Sequence, residues 1–529
     1  MLAKRAHRLT ITLVLALGFV LTACSSLRTD FVKKPSQALP PAFDTSSARY
    51  VRAELDQHKE LSGFRLLSSS TNALMSRITL ADHAAHSIDL QYYIFQNDAT
   101  GRLVAQHVLD AADRGARVRL LLDDINLTNE DHLLDALDAH PNIQVRLFNP
   151  FRTRSPSLPS KIAQFVLEGP RLNRRMHNKS FIVDNTVAVI GGRNIGDPYF
   201  GADNDSNFRD LDVVAIGPVV AEASRTFDDY WNSDAAYPVK AFRETHATEA
   251  DLQQLRTVLK AHARAFEQSD YAQAAFDELP HGASADRFGS WFWGHADLVA
   301  DQPEKVEGGK DVPALRIGPK LGTILNAATS EVDLISPYFV PGKSGTKFLL
   351  DIAKRGVSVS VLTNSLASTD EPTAHSGYAH YRRDLLAGGV HLFELRPQPG
   401  GTQPMTAQGT SSGVSLHAKA AVIDGRYTFV GSMNMDQRSK LLNTEMGVIV
   451  DCPPLAAAVA QFFTKATLPG SAYKVELQAD AGHGPQSARM VWITEKDGRE
   501  EIQTSEPDAT RLRRIEVDVL RMLPIEGLL

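Results

Sequence analysis

A chain of 529 residues with 43% hydrophobic and 22% charged side chains has the composition of a globular protein and the length of about two to four domains. Its formal net charge of −6 excludes the whole-chain basic footprint of a nucleic-acid binder, although a local basic pocket remains open. Two cysteines, Cys24 and Cys452, exclude a disulfide framework and a cysteine-based zinc site, so stability must come from core burial.

Residues 1–23 carry Lys4, Arg5 and Arg8, then an apolar run that is short for a spanning helix and suited to a secretory signal. Leu21, Thr22, Ala23 and Cys24 resemble the lipobox of bacterial lipoproteins, which implies that Cys24 is lipidated and begins the mature chain. A plain signal peptide or short anchor is the alternative. Cleavage there removes three cations and takes the formal charge to −9. The polar stretch 24–50, with its prolines and serines, is expected to tether a folded body to the membrane.

Globular patterning begins near Val51. HSIDLQYYIF (His86 to Phe95) reads as a buried strand, GRLVAQHVLDAADRGA as a helix and RVRLLLDD as a second strand, which together make a β-α-β unit. The second half repeats that order with EVDLISPYFV (Glu331 to Val340), GTKFLLDIAKRGV and SVSVLT. Asp89 and Asp333 stand 244 apart, Gly115 and Gly356 241, His177 and His417 240, Phe227 and Phe462 235. Ordered repetition of strand, helix, strand and motif predicts an α/β protein of two homologous lobes, 51–240 and 313–470. Residues 241–312 between them are expected to be mainly helical. Their Trp291, Phe292 and Trp293 belong either to a core or to a surface facing a membrane or acyl chains. Residues 471–529 are expected to form a strand-rich extension with a hairpin around Asp497 and Gly498.

The repeated motif carries the chemistry. RMHNKSFIVDNTVAVIGGRNIGD and SLHAKAAVIDGRYTFVGSMNMD align His177 with His417, Lys179 with Lys419, Asp184 with Asp424, Gly191 with Gly431 and Asn194 with Asn434. On a strand, residues two apart share a face, so each lobe offers an imidazole, an ammonium and an amide on one patch. Two facing patches suit a phosphodiester. One neutral histidine attacks phosphorus while the other, protonated, gives its proton to the leaving oxygen. The lysines and asparagines stabilise charge on the non-bridging oxygens, and no metal or other cofactor is called for. Ser432 in the second copy stands where the first has Gly192, so a hydroxyl is available from one side only. Asp184 and Asp424 complete the motifs and are counted with the catalytic set, although their place at the strand end reads as structural support. The 235 offset also pairs Asp210 with Glu445. A carboxylate there would fix a histidine's tautomer, the alternative being an ion pair with Arg209 or Arg438.

H-x-K-x4-D followed by G-[GS]-x-N, present twice, resembles the phospholipase D superfamily. The resemblance implies two lobes with mainly parallel or mixed sheets flanked by helices and one active site at their interface. It also implies a metal-independent reaction through a phosphohistidine, with His177 as nucleophile and His417 as general acid by analogy. NPFRTR, RRMHNKS, GGRNIGDPYF and the closing LPIEGLL are similar to the bacterial cardiolipin synthase C-type group. That likeness implies phosphatidyl transfer from a phospholipid such as phosphatidylethanolamine to phosphatidylglycerol, with hydrolysis to phosphatidic acid as the alternative and a superfamily nuclease or an inactive envelope scaffold as remoter rivals. A helper protein is a further possible partner, and nucleic acid is not expected as one. The expected setting is the cell envelope, with a lipoprotein facing the periplasm. Ser25 after Cys24 is the outer-membrane sorting pattern, whereas such synthases are expected at the inner membrane, so the membrane stays open.

Overall fold

The computed structural model describes residues 33–127, 130–151, 168–242, 246–278, 290–307, 316–397, 413–478 and 488–523. The signal region and Cys24 lie outside them, as do the second half of NPFRTR and all but the first residue of the closing LPIEGLL. In the first lobe, Ser87–Tyr92, Arg117–Asp123 and Ile143–Phe148 are neighbouring parallel strands, with Ala99–Asp113 as the crossover helix. In the second, Glu331–Ile335, Ser358–Asn364 and His391–Leu395 repeat the arrangement around the helix Gly342–Ala353. Antiparallel strands extend each set on both sides, so each lobe's sheet is mixed.

The strand Phe292–Ala300 departs from the expected helical linker. It pairs antiparallel with Ser62–Leu67 of the first lobe and with Met446–Asp451 of the second, fusing both sheets into one of eighteen strands. The alternation in WFWGHADLVA is interrupted by Gly294 and by charge, which masks its strand character. Gly294 is needed there because a Cβ would lie 2.5 Å from the Asp451 carbonyl oxygen. Helices do occupy Glu249–Glu267 and Asp270–Glu278 of the segment. The tryptophans at the start of the strand are packed. Trp293 stacks on His58 with ring centroids 3.9 Å apart, and the Arg65 guanidinium lies 3.9 Å above Trp291.

The part of 24–50 that is described does not hang free. The buried Arg119 and Arg146 have donors left over inside the first lobe, and these go to the backbone carbonyls of Ser36 (3.0 Å) and Lys34 (2.7 Å). Ala38 N donates to Asp228 and Ala42 N to the Asp184 carbonyl. Residues 33–45 are therefore a strap laid across the lobe. The C-terminal extension contains the expected hairpin, Arg489–Lys496 with Arg499–Gln503, turned by Asp497 and Gly498 at φ 53° and 74°. It also contains an unexpected helix, Arg511–Arg521, which packs on Pro372–Ala379 and leaves Leu512 and Ile515 exposed.

One hydrophobic cluster lies within each lobe, and a third spans the junction, joining Phe64, Ile190 and Trp231 to Leu416, Val448 and Leu455. A shared core and a shared sheet together fix how the two motif strands face one another.

Candidate active site

Each histidine is set on its strand by the opposite lobe. His177 N donates to the Thr444 carbonyl at 2.9 Å, and His417 N donates to the Arg209 carbonyl at 2.8 Å. Thr444 and Arg209 are the residues just before Glu445 and Asp210. The lobes' carboxylates are thereby brought to each other's histidines. His177 Nδ1 lies 2.8 Å from Glu445 Oε2, and His417 Nδ1 lies 2.6 Å from Asp210 Oδ2. An ionised carboxylate only accepts, so Nδ1 carries the proton in both rings and Nε2 is left for chemistry. The arginine alternative gives way: Arg438 donates to Asn173 instead. Sequence offsets pair the two carboxylates with each other, but only the fold shows that they are exchanged between lobes.

The two lysines, both buried, donate to the carbonyls of their own histidines. Burial, with Lys419 nearby and against the pull of Glu445, takes Lys179 down to about 7. Burial likewise takes Lys419 down to about 8, opposed by Asp210 and Glu445. Burial is also the largest influence on His177, which is held at about 4 despite Glu445 and with Lys179 and Lys419 adding to the effect. His417 is lowered too, by burial and Lys419, with Asp210 opposing. Burial alone would raise Asp210, but His417, Lys419 and Arg193 outweigh it and hold the carboxyl at about 2. An anion entering a site this dry would favour the charged form of both lysines.

Asn194 Oδ1 accepts from Ile94 N at 3.2 Å, while its buried Nδ2 lies beside the Tyr199 hydroxyl. Asn434 is buried, with its Oδ1 unpaired. Ser432 Oγ donates to Glu445 Oε2 at 2.5 Å and Ser439 Oγ to Oε1 at 2.8 Å. Ser439 was not singled out from sequence; its place five residues after the motif asparagine carried no signal. Aromatic walls were missed as well. Tyr93 stands edge-on to His177 at 4.8 Å, and Tyr199 and Phe208 contact His417 at 5.2 and 5.1 Å.

Asp184 and Asp424 stand at the strand ends, where backbone amides hold them. Asp184 accepts from the backbone amides of Ala85, His86 and Ser87, and Asp424 from those of Thr329, Ser330 and Glu331. Each carboxylate ties the far end of its motif strand to the start of the neighbouring strand. Among the described residues, no cluster of His, Cys, Asp and Glu has the arrangement to hold a metal ion.

Two homologous α/β lobes, each giving a histidine and a lysine to one buried site, define a phospholipase D-type enzyme. The chain belongs to the family described as "Cardiolipin synthase, PLD-like domain", which matches residues 77–231 and 321–467. It is 39% identical to cardiolipin synthase C of Escherichia coli K12 over 89% of this chain and 97% of that protein. It is 34% identical to an uncharacterized protein of Helicobacter pylori 26695, over 81% of this chain and 84% of that one. Its fold is similar to that of phosphatidylserine synthase from Haemophilus influenzae Rd KW20. That match has a TM-score of 0.56 at 12% identity and covers 91% of this chain and 99% of that one.

Proposed function

We propose that this protein is a phosphatidyltransferase that makes cardiolipin from phosphatidylglycerol and a second phospholipid, phosphatidylethanolamine being the donor. The observation that carries the reading is the crossed pair of carboxylate–histidine contacts, which presents two Nε2 atoms to one site with two buried lysines. Their carboxylates are not equivalent. The Glu445 charge is shared with the hydroxyls of Ser432 and Ser439. Asp210 makes the shorter histidine contact, and its side chain takes its other hydrogen bond from Leu211 N. An imidazolium is therefore better supported at 417 and a neutral imidazole at 177.

In the first step His177 Nε2 attacks the donor phosphorus. The bond from phosphorus to the ethanolamine oxygen breaks, and the His417 imidazolium protonates that oxygen as it leaves. His417, now neutral, takes the proton of a phosphatidylglycerol hydroxyl. That oxygen attacks phosphorus, the P–N bond breaks, and cardiolipin departs with His177 restored. Lys179, Lys419 and Asn194 Nδ2 stabilise the non-bridging oxygens in both transition states. Burial of both histidines favours a lipid alcohol over water as acceptor.

Anchoring belongs to the same proposal. A lipidated Cys24 would hold the enzyme at the membrane from the periplasmic side, next to its substrates. The test is to supply labelled phosphatidylethanolamine with phosphatidylglycerol in detergent and EDTA, with His177→Ala and His417→Ala alongside. Labelled cardiolipin, lost in both variants, supports transfer. Phosphatidic acid as the sole product would replace the synthase reading with hydrolysis.

A further inference from the structure

The lobes are related by sequence, yet they differ in one buried place. In the first lobe Arg77, Tyr92, Arg193 and Asp212 form a closed polar cluster. Arg77 donates to Tyr92 (3.1 Å) and Asp212 (2.9 Å), and Arg193 to Asp212 (3.2 Å). At the lobe-to-lobe offsets of 244, 240 and 235, the corresponding residues are Leu321, Ser336, Met433 and Gly447. The correspondence is structural too, since Gln96 N bonds the Ile195 carbonyl and Val340 N the Met435 carbonyl. In the second lobe every charge of the cluster is gone, and beside these residues lies a cavity of about 550 Å³. Leu321, Leu325, Phe339, Phe348 and Met433 line it, and so does Asn434 of the second motif. Its charged lining is mixed, Lys305, Arg316 and Lys440 with Asp301 and Asp436. A largely apolar chamber of small-molecule size, reached from a motif asparagine, has the chemistry to take a phospholipid tail.

We propose that this cavity receives an acyl chain of the phosphatidyl group being transferred, a proposal that rests on the phospholipid reading above. In the first lobe the corresponding positions are taken up by the polar cluster. The pocket keeps the covalent intermediate's tail in place while the headgroup leaves and the acceptor arrives. Two glycines of the helix Ile317–Asn326 leave the space open. A Cβ on Gly318 would meet only Met433 Cε, at 3.8 Å, and one on Gly322 meets nothing within 4 Å.

Gly322→Leu therefore fills the cavity without a clash, and the helix gains propensity, so the variant is expected to fold. Thr323→Leu, on the exposed side of the same helix, is the control. Total ethanolamine release from dioleoyl and dihexanoyl phosphatidylethanolamine is measured with the acceptor lipid held constant, which counts transfer and hydrolysis alike. The ratio of kcat/KM for long over short chains should fall about tenfold in Gly322→Leu, as expected from excluding about two methylenes, and stay constant in Thr323→Leu. Calorimetric binding of dodecanoyl lysophosphatidylethanolamine below its micelle concentration should weaken by a similar factor. An unchanged ratio with unchanged binding overturns the pocket, as does sensitivity to the acceptor's chain length alone. No turnover of any phospholipid, with lysolipid binding still sensitive to Gly322→Leu, would overturn the proposed reaction and leave the pocket standing.

Discussion

Glu445 of the second lobe accepts a hydrogen bond from His177 of the first, 2.8 Å away and out of contact with solvent. With Asp210 and His417 making the reverse contact, neither lobe holds a complete histidine–carboxylate pair. The site exists only in the assembled interface, which explains why the sheets are fused and the central core is shared.

Glu445→Gln should lower kcat by about 10²- to 10⁴-fold with little change in KM, because the amide no longer fixes the reactive tautomer. The sign of the pH effect separates positioning from folding. Glu445 raises the His177 pKa, and the nucleophile must be neutral, so activity rises as pH passes upward through that value. Without the carboxylate the value falls further, and the acid limb of kcat/KM should move to lower pH. A pH–rate profile checks it, and an unmoved limb with lower amplitude would leave Glu445 a structural role only.

The two lysines, lowered to about 7 and about 8 in the free site, are only partly charged near neutral pH. A bound phosphate dianion or vanadate restores their charge. Binding at pH 7.5 should therefore take up protons, to a total of about one. Calorimetry in buffers of different ionisation enthalpy reads the number, and Lys179→Met should reduce it. Zero uptake would mean that both lysines are already charged.

Asp184→Ala and Asp424→Ala should act on stability more than on chemistry. Each removes one acceptor of three backbone amides, a loss of about 1–3 kcal/mol. Thermal unfolding should shift down, while kcat measured well below the transition stays within a few-fold of wild type. Asp424 is held well below the ordinary carboxylate range, mainly by backbone hydrogen bonds that outweigh burial. Its stabilisation is present above that range and is lost as acid drives the pH down toward its folded value. The Asp424→Ala variant should accordingly show a smaller loss of stability between neutral pH and pH 3.

The residues that repeat locally, His177 and His417, Lys179 and Lys419, were legible because strand periodicity and a constant offset are written along the chain. Asp210 and Glu445 were legible as a pair for the same reason. Their exchange across the interface was not, because strand pairing between positions such as Met176 and Thr444 leaves no local pattern. The bridging strand Phe292–Ala300 and the strap at 33–45 failed for a related cause. Both are held by distant partners, Met446–Asp451 for one and the spare donors of Arg119 and Arg146 for the other, whereas composition reports only local preference.

One difference between the motifs, Gly192 against Ser432, is matched to the length of the facing carboxylate. A Cβ on Gly192 would lie 2.3 Å from Asp210 Oδ1 and 3.1 Å from its Cγ, so the shorter acid needs glycine behind it. The longer Glu445 leaves room for Ser432 and takes its hydrogen bond. Gly192→Ser should therefore push Asp210 off His417 and cost about 10²- to 10³-fold in kcat. Adding Asp210→Glu rebuilds in the first lobe the pairing found in the second, and should recover at least about tenfold of that loss. Steady-state kinetics on the single and double variants, with thermal unfolding to confirm that both fold, decide the matter. Additive losses would show that serine and glutamate fit together only in the second lobe.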